Sequence, residues 1–165
     1  MSAYVMYHQM EVEWPCLSFD VIPDDKLGVR TKFPLSATLV AGTQAGEAAG
    51  NRLYVMRCGH MQKTQRDGRV RDEDDEDDDS DTDSDDGDAT LEVQRIAHPG
   101  GVNRVRAMPQ EPHITASWSD TGKVHLWDLR PQLRLLDAAE GRGVAAPVPR
   151  GYGPAFTFSG HGTWL

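Results

Sequence analysis

Short apolar runs, each stopped by a turn residue, constrain this chain more than any other feature. Tyr4–His8, Leu17–Ile22, Leu35–Ala41, Leu53–Met56, Leu91–Ile96, Val102–Ala107, Ile114–Trp118, Val124–Leu129 and Ala155–Phe158 are apolar or alternate in polarity. Between them stand Pro23, Pro34, Pro99, Gly100, Gly101, Pro109, Pro112 and Gly122. Runs of about 5 residues with that punctuation are strands joined by turns. In Leu17–Ile22, for example, Leu17, Phe19 and Val21 alternate with Ser18, Asp20 and Ile22, the period of a pleated strand. Only Arg130–Ala139 can be read as a helix, and the spacing of Leu133, Leu135 and Leu136 leaves that undecided. The expected fold is all-β, made of antiparallel hairpins.

Charge separates the chain into two materials. It carries 26 acidic and 17 basic side chains, a formal net charge of -9. Residues 72–88 hold 13 of the acidic side chains and no basic one, so the remainder carries about +4. Like charges at adjacent positions repel, and Val70 is the only apolar residue from Lys63 to Asp88, so this stretch cannot pack. It is read as a disordered loop between two strands, and Gly141–Gly153, with Pro147 and Pro149, as a second flexible connection. Double-stranded nucleic acid is disfavoured as a partner, because the densest charge repels phosphates. No apolar run approaches the roughly 20 residues of a membrane helix, and Met1–Cys16 has no continuous apolar stretch like that of a signal peptide. Cys16 and Cys58 are too few for a disulfide scaffold, so a reduced, intracellular chain is the simplest expectation.

The most specific pattern lies between His98 and Asp128. A histidine beside a glycine turn is followed by two strands and then by Ser119-Asp-Thr-Gly-Lys-Val-His-Leu-Trp-Asp128. A second Gly-His pair stands at Gly160-His161, after the last apolar run. The arrangement resembles the WD repeat of β-propellers, in which a Gly-His pair precedes a Trp-Asp pair by one blade's worth of sequence. The resemblance implies a polar chain locking the blade, with His98, Ser117, Trp127 and Asp128 as its members. That family's turn aspartate directly precedes the glycine; here Thr121 holds the slot and Asp120 comes one residue earlier, which leaves the chain incomplete.

Trp14-Pro-Cys-Leu-Ser-Phe19, Val40-Ala-Gly-Thr-Gln44, Asn51-Arg-Leu53, His98-Pro-Gly-Gly-Val-Asn-Arg-Val-Arg106 and Met108-Pro-Gln110 extend the likeness in order. Together they resemble the N-terminal part of the histone-binding WD proteins, the retinoblastoma-binding and chromatin-assembly subunits, and the acidic insertion resembles their ribosome-assembly branch. Aspartate rather than glutamate dominates the tract, which leaves the charge argument unchanged. The implied fold is a partial WD40 β-propeller. Residues 1–62 would supply a closing strand at Tyr4–His8 and first-blade strands, and 63–89 the disordered acidic loop. Residues 90–161 would complete the first blade and build the second, with 162–165 starting a third. Family propellers have seven blades, so the chain is expected to be a fragment or truncated product, and the family's histone-helix groove is assigned to no residue here. Two blades bury too little against neighbours to be comfortable alone, so marginal stability or self-association is expected.

The acidic tract is the leading functional candidate: Asp72, Glu73, Asp74, Asp75, Glu76, Asp77, Asp78 and Asp79 create a field that attracts basic proteins. The resemblance names ribosomal proteins or histones as such clients, in the nucleolus or nucleus, with chromatin-linked histone binding or a non-functional truncated product as alternatives. A solvated tract with no defined partner is the plain reading. Ser80, Thr82 and Ser84 have acidic neighbours of the kind acid-directed kinases prefer. Asn103, Arg104 and Arg106 are either a peptide-contact edge or strand-end residues paired with carboxylates, and Trp14 and Trp118 are read as packing residues. No enzyme, cofactor or metal is expected. Six histidines are scattered without His-Glu-x-x-His or paired-cysteine spacing, Cys58-Gly-His60 is at most half a zinc site, and the acidic run lacks the spaced ligands of a calcium loop.

Overall fold

The computed structural model describes residues 4–23, 31–64, 88–139 and 151–160. They form two four-stranded antiparallel sheets and one helix. The first sheet contains β1 (Cys16–Ile22), β2 (Leu35–Thr43), β3 (Arg52–Met61) and β4 (Thr90–Ala97), side by side in that order. The second contains β5 (Val102–Ala107), β6 (Ile114–Ser119), β7 (Val124–Asp128) and β8 (Phe156–Phe158), again in chain order, with α1 (Arg130–Ala139) between β7 and β8. Two successive four-stranded meanders packed on each other are two blades of a WD40 β-propeller. Most strands lie within two residues of the apolar runs that predict them. β3 differs, running five residues past Met56, because Cys58 and Gly59 still find partners in Leu91 and Thr90.

One continuous apolar cluster joins the sheets. Ile22, Val40, Leu53, Val55 and Ile96 of the first blade meet Val102, Val105, Trp127, Leu129 and Leu136 from β5 onward. Register explains which residues enter this seam. Asp20, Val40, Val55 and Gln94 lie in one row across the first sheet, and Ser18 precedes Asp20 on the same face. The Ser18 hydroxyl accepts the Val105 N–H at 3.0 Å and the Asp20 carboxylate accepts the Ala107 N–H at 3.0 Å. On β1 the polar side chains therefore face the neighbouring blade, and Leu17, Phe19 and Val21 are exposed.

The stretch whose leucine spacing is ambiguous is helical. Gln132 and Leu136, one turn apart, are fully buried, while Arg134 and Asp137 are exposed. α1 leaves the second blade and lies against β3 and β4 of the first, where Arg57 and Asp137 form an ion pair at 2.5 Å. The helix thus clamps the outer part of the seam.

Two expectations change. Tyr4–His8 is not a strand, because no continuous ladder forms beside it. It is extended chain: the Val5 carbonyl accepts the Thr64 N–H, the Tyr7 N–H donates to Thr64 Oγ1, and His8 Nε2 pairs with the Gln62 carbonyl. Farther along, Val12 packs on Ala41, Tyr54 and Met56, and Trp14 lies over Gly50. Trp118 is 49% exposed rather than packed, since it points away from the seam. Asp72–Asp79, Ser80, Thr82, Ser84, His161, most of Gly141–Gly153 and residues 162–165 lie outside the described residues.

Close approach of the blades dictates Gly42. A Cβ there would sit 2.2 Å from Val102 Cγ1, with Val102 held by β5. Gly42→Ala should lower unfolding free energy by about 1–3 kcal/mol through overpacking. Urea titration measures this, and adding Val102→Ala should return part of the loss as a coupling between neighbours. Equal stability of wild type and Gly42→Ala would contradict the seam geometry.

Candidate functional site

Strand alternation turns Ser117 and Trp127, from adjacent strands β6 and β7, into the seam, where His98 from the loop after β4 meets them. The Trp127 indole N–H donates to Ser117 Oγ at 2.8 Å, and Ser117 Oγ lies 2.9 Å from His98 Nε2. His98 Nδ1 lies 2.8 Å from the Gly100 carbonyl. A carbonyl can only accept, so Nδ1 carries the proton and Nε2 accepts from the serine hydroxyl. The order is therefore Trp127 N–H to Ser117 O–H to His98 Nε2, ending at Gly100. It is a fully directed chain in the neutral imidazole form. Burial pushes the His98 pKa below its ordinary 6.5, against the opposing pull of the Gly100 bond. His125 stacks edge-on to His98 at 5.3 Å and bonds Thr157 of β8 through Nδ1 at 2.9 Å. Its pKa is likewise lowered, by burial and then by Lys123.

Asp128 is not joined to that chain. It follows Trp127 on the same strand and so points to the opposite face. Its carboxylate instead accepts from Arg130 Nε at 2.9 Å and from the Arg130 amide at 3.1 Å, at the start of α1, and that pairing lowers its pKa. The Gly100 carbonyl takes the role that a turn carboxylate would have, and no sequence pattern announces a carbonyl. Gly100 itself needs its φ of 85°, and a Cβ there would meet Asp120 at 2.2 Å. Ser119 holds the turn: its hydroxyl donates to the Pro99 carbonyl at 2.7 Å and accepts the Thr121 N–H at 3.2 Å. Arg106 lies 3.5 Å from Asp20, a contact between blades. Sequence reasoning misses Ser18 and Asp20 as linking residues; the signal for them is two polar residues at alternate positions of a strand.

The acidic tract enters the described structure only at its ends. It connects β3 to β4, whose last pair is Gly59 with Thr90, so both anchors stand at one end of the first blade. Lys63, just before it, sits 5.4 Å over the Phe33 ring. Among the described residues no group of three or more His, Cys, Asp or Glu could hold a metal ion. Cys16 and Cys58 are unpaired thiols whose pKa values burial raises, which makes both poorer nucleophiles.

Two measurements probe this centre. Ser117→Ala leaves the buried Trp127 N–H and His98 Nε2 without partners, and should cost about 1–3 kcal/mol for each group in urea unfolding. Because His98 and His125 bind a proton more weakly folded than unfolded, their contribution is complete above the unfolded value near 6.5 and is lost as pH falls below it. Stability should be flat above about pH 7 and decline toward pH 5, with a shallower decline in His98→Asn. A profile that rises on acidification would contradict the neutral, directed chain.

Comparison with known proteins places the chain. Residues 1–62 match the family model that describes the histone-binding protein RBBP4 and its counterpart in the CAF1 complex. Protein HEAT STRESS TOLERANT DWD 1 of Arabidopsis thaliana is 45% identical over 97% of this chain and 37% of its own length. Glutamate-rich WD repeat-containing protein 1 of Dictyostelium discoideum is 44% identical over 97% of this chain and 33% of its own. Ribosome assembly protein rrb1 of Schizosaccharomyces pombe is 39% identical over 83% and 28%. The chain thus spans about a third of the length of the curated relatives it matches. On these identities the chain belongs to the family of glutamate-rich, ribosome-assembly and histone-binding WD-repeat proteins.

Proposed function

We propose that the chain is a non-catalytic WD-repeat scaffold that shields basic proteins in ribosome assembly, acting through its acidic tract. The supporting observation is the placement of 13 carboxylates within 17 residues on a connection whose two ends are pinned by neighbouring strands. Such a strip is tethered to a rigid blade, yet its own residues have nothing apolar to bury. Cationic clients are drawn to it over about a Debye length, roughly 8 Å at physiological salt, and released as salt rises. Ribosomal proteins are the proposed clients, in keeping with the ribosome-assembly relative, and the nucleus, more finely the nucleolus, is the proposed location. Asp72, Glu73, Asp74, Asp75, Glu76, Asp77, Asp78 and Asp79 carry the binding. Phosphorylation at Ser80, Thr82 or Ser84 would add about -1.5 to -2 charges each and tighten it.

A second reading, histone binding in chromatin, is favoured by one observation: residues 1–62 match the histone-binding family model. Charge alone does not choose between the two clients, because both are strongly basic.

Pull-downs with basic ribosomal proteins and with core histones, using the chain with and without residues 72–88, separate the readings. Deletion should weaken ribosomal-protein capture on the order of tenfold or more, and the difference should shrink as salt is raised. Capture that is unchanged by deletion removes the tract from the mechanism. Histone capture that survives deletion while ribosomal proteins are not retained favours the second reading, with residues 1–62 as its surface.

A further inference from the structure

Each sheet has one face in the seam and one turned away from it. On the first sheet the far face reads Phe19–Ala41–Tyr54–Arg95 and Val21–Leu39–Met56–Val93, row by row. Val12 of the N-terminal segment covers the part around Ala41, Tyr54 and Met56. Leu17, Phe19 and Val21 of β1 are left 51–64% exposed. On the second sheet the far face reads Arg104–Trp118–Val124–Phe158 and Arg106–Ala116–Leu126–Phe156. Its Trp118, Phe156 and Phe158 are 47–60% exposed. A folded chain rarely leaves two such apolar faces in water without a use for them.

We propose that these two faces bind each other between copies of this chain, head to tail: the far face of the first blade of one copy covers the far face of the second blade of the next. The seam within one copy supplies the template, since there these same two sheets already pack face to face, with β1 against β5. Charge selects the direction. Arg104 and Arg106 edge the second far face on β5, whereas Glu13 lies close enough to the first to act on Tyr54, with Glu11 exposed nearby. Pairing unlike faces brings arginines to glutamates. Pairing like faces would set arginine against arginine and glutamate against glutamate. Because the two surfaces differ, the contact is heterologous and extends the assembly until it closes. Propellers close at about 4–8 four-stranded blades, which this chain reaches with about two to four copies. The proposal does not rest on the acidic tract.

Sedimentation velocity of the 165-residue chain, under reducing conditions and over a concentration series to about 100 μM, reads the outcome. Wild type should grow in mass with concentration. Phe19→Asp blocks the first far face and Phe158→Asp the second; both side chains are exposed, so far-ultraviolet dichroism should remain that of wild type. Each variant alone should stay monomeric, and an equimolar mixture should form a 1:1 dimer, since one intact face of each kind remains. Val21→Asp with Phe156→Asp serves as a second pair should either first variant unfold. A monomeric wild type, a single variant that still self-associates, or a mixture that stays monomeric would each overturn the proposal.

Discussion

The seam between the two sheets is the contact on which everything else in this structure depends. A four-stranded meander has two faces and cannot bury either by itself. Here Ile22, Val40, Leu53, Val55 and Ile96 are buried only because Val102, Val105, Trp127, Leu129 and Leu136 come from the other side. The seam is not purely apolar. Ser18 and Asp20 take up the Val105 and Ala107 amides of β5, which would otherwise lack partners on the innermost strand. That need explains why β1 spends its polar side on the neighbour and its apolar side on the surface.

Inside the seam, the run from Trp127 through Ser117 to His98 links β6, β7 and the loop after β4. It is valuable because it is directed: each donor meets an acceptor, and the end at Gly100 fixes the imidazole tautomer. A fully satisfied buried network specifies one arrangement, where an apolar contact of the same size would tolerate slippage. The loop of the first blade is thereby tied to the strands of the second. α1 repeats the tie at the outer strands through Leu136 and the Arg57–Asp137 pair.

The functional proposal follows from a division of labour. The blades offer hydrogen-bonded, packed surface with a mild positive balance. Residues 72–88 offer only charge. Mounting the strip between β3 and β4 keeps its ends about one strand spacing apart, roughly 4.8 Å, so its field stays at one end of the first blade. The paired strands hold the anchors while the strip itself is kept from collapsing onto them by its own repulsion.

Much is legible in one dimension. Short alternating runs between prolines and glycines specify antiparallel strands, because the period of two and the turn residues are local properties of the backbone. The order of short motifs from Trp14 to Gln110 specifies the family. The acidic tract declares itself through composition alone. What needs the tertiary structure is every question of facing and partner choice. Adjacency groups Asp128 with Trp127, yet the pleat sends neighbours to opposite sides, and Asp128 holds Arg130 instead. The Gly100 carbonyl is not foreseeable as the partner of His98, since every residue has one. Arg130–Ala139 becomes a helix against β3 and β4, a surface the local leucine spacing does not contain. Tyr4–His8 is extended but unladdered, because a strand is defined by what lies beside it. Local sequence determines the conformations a segment can take; which of its sides is covered, and by what, is decided only when distant segments meet.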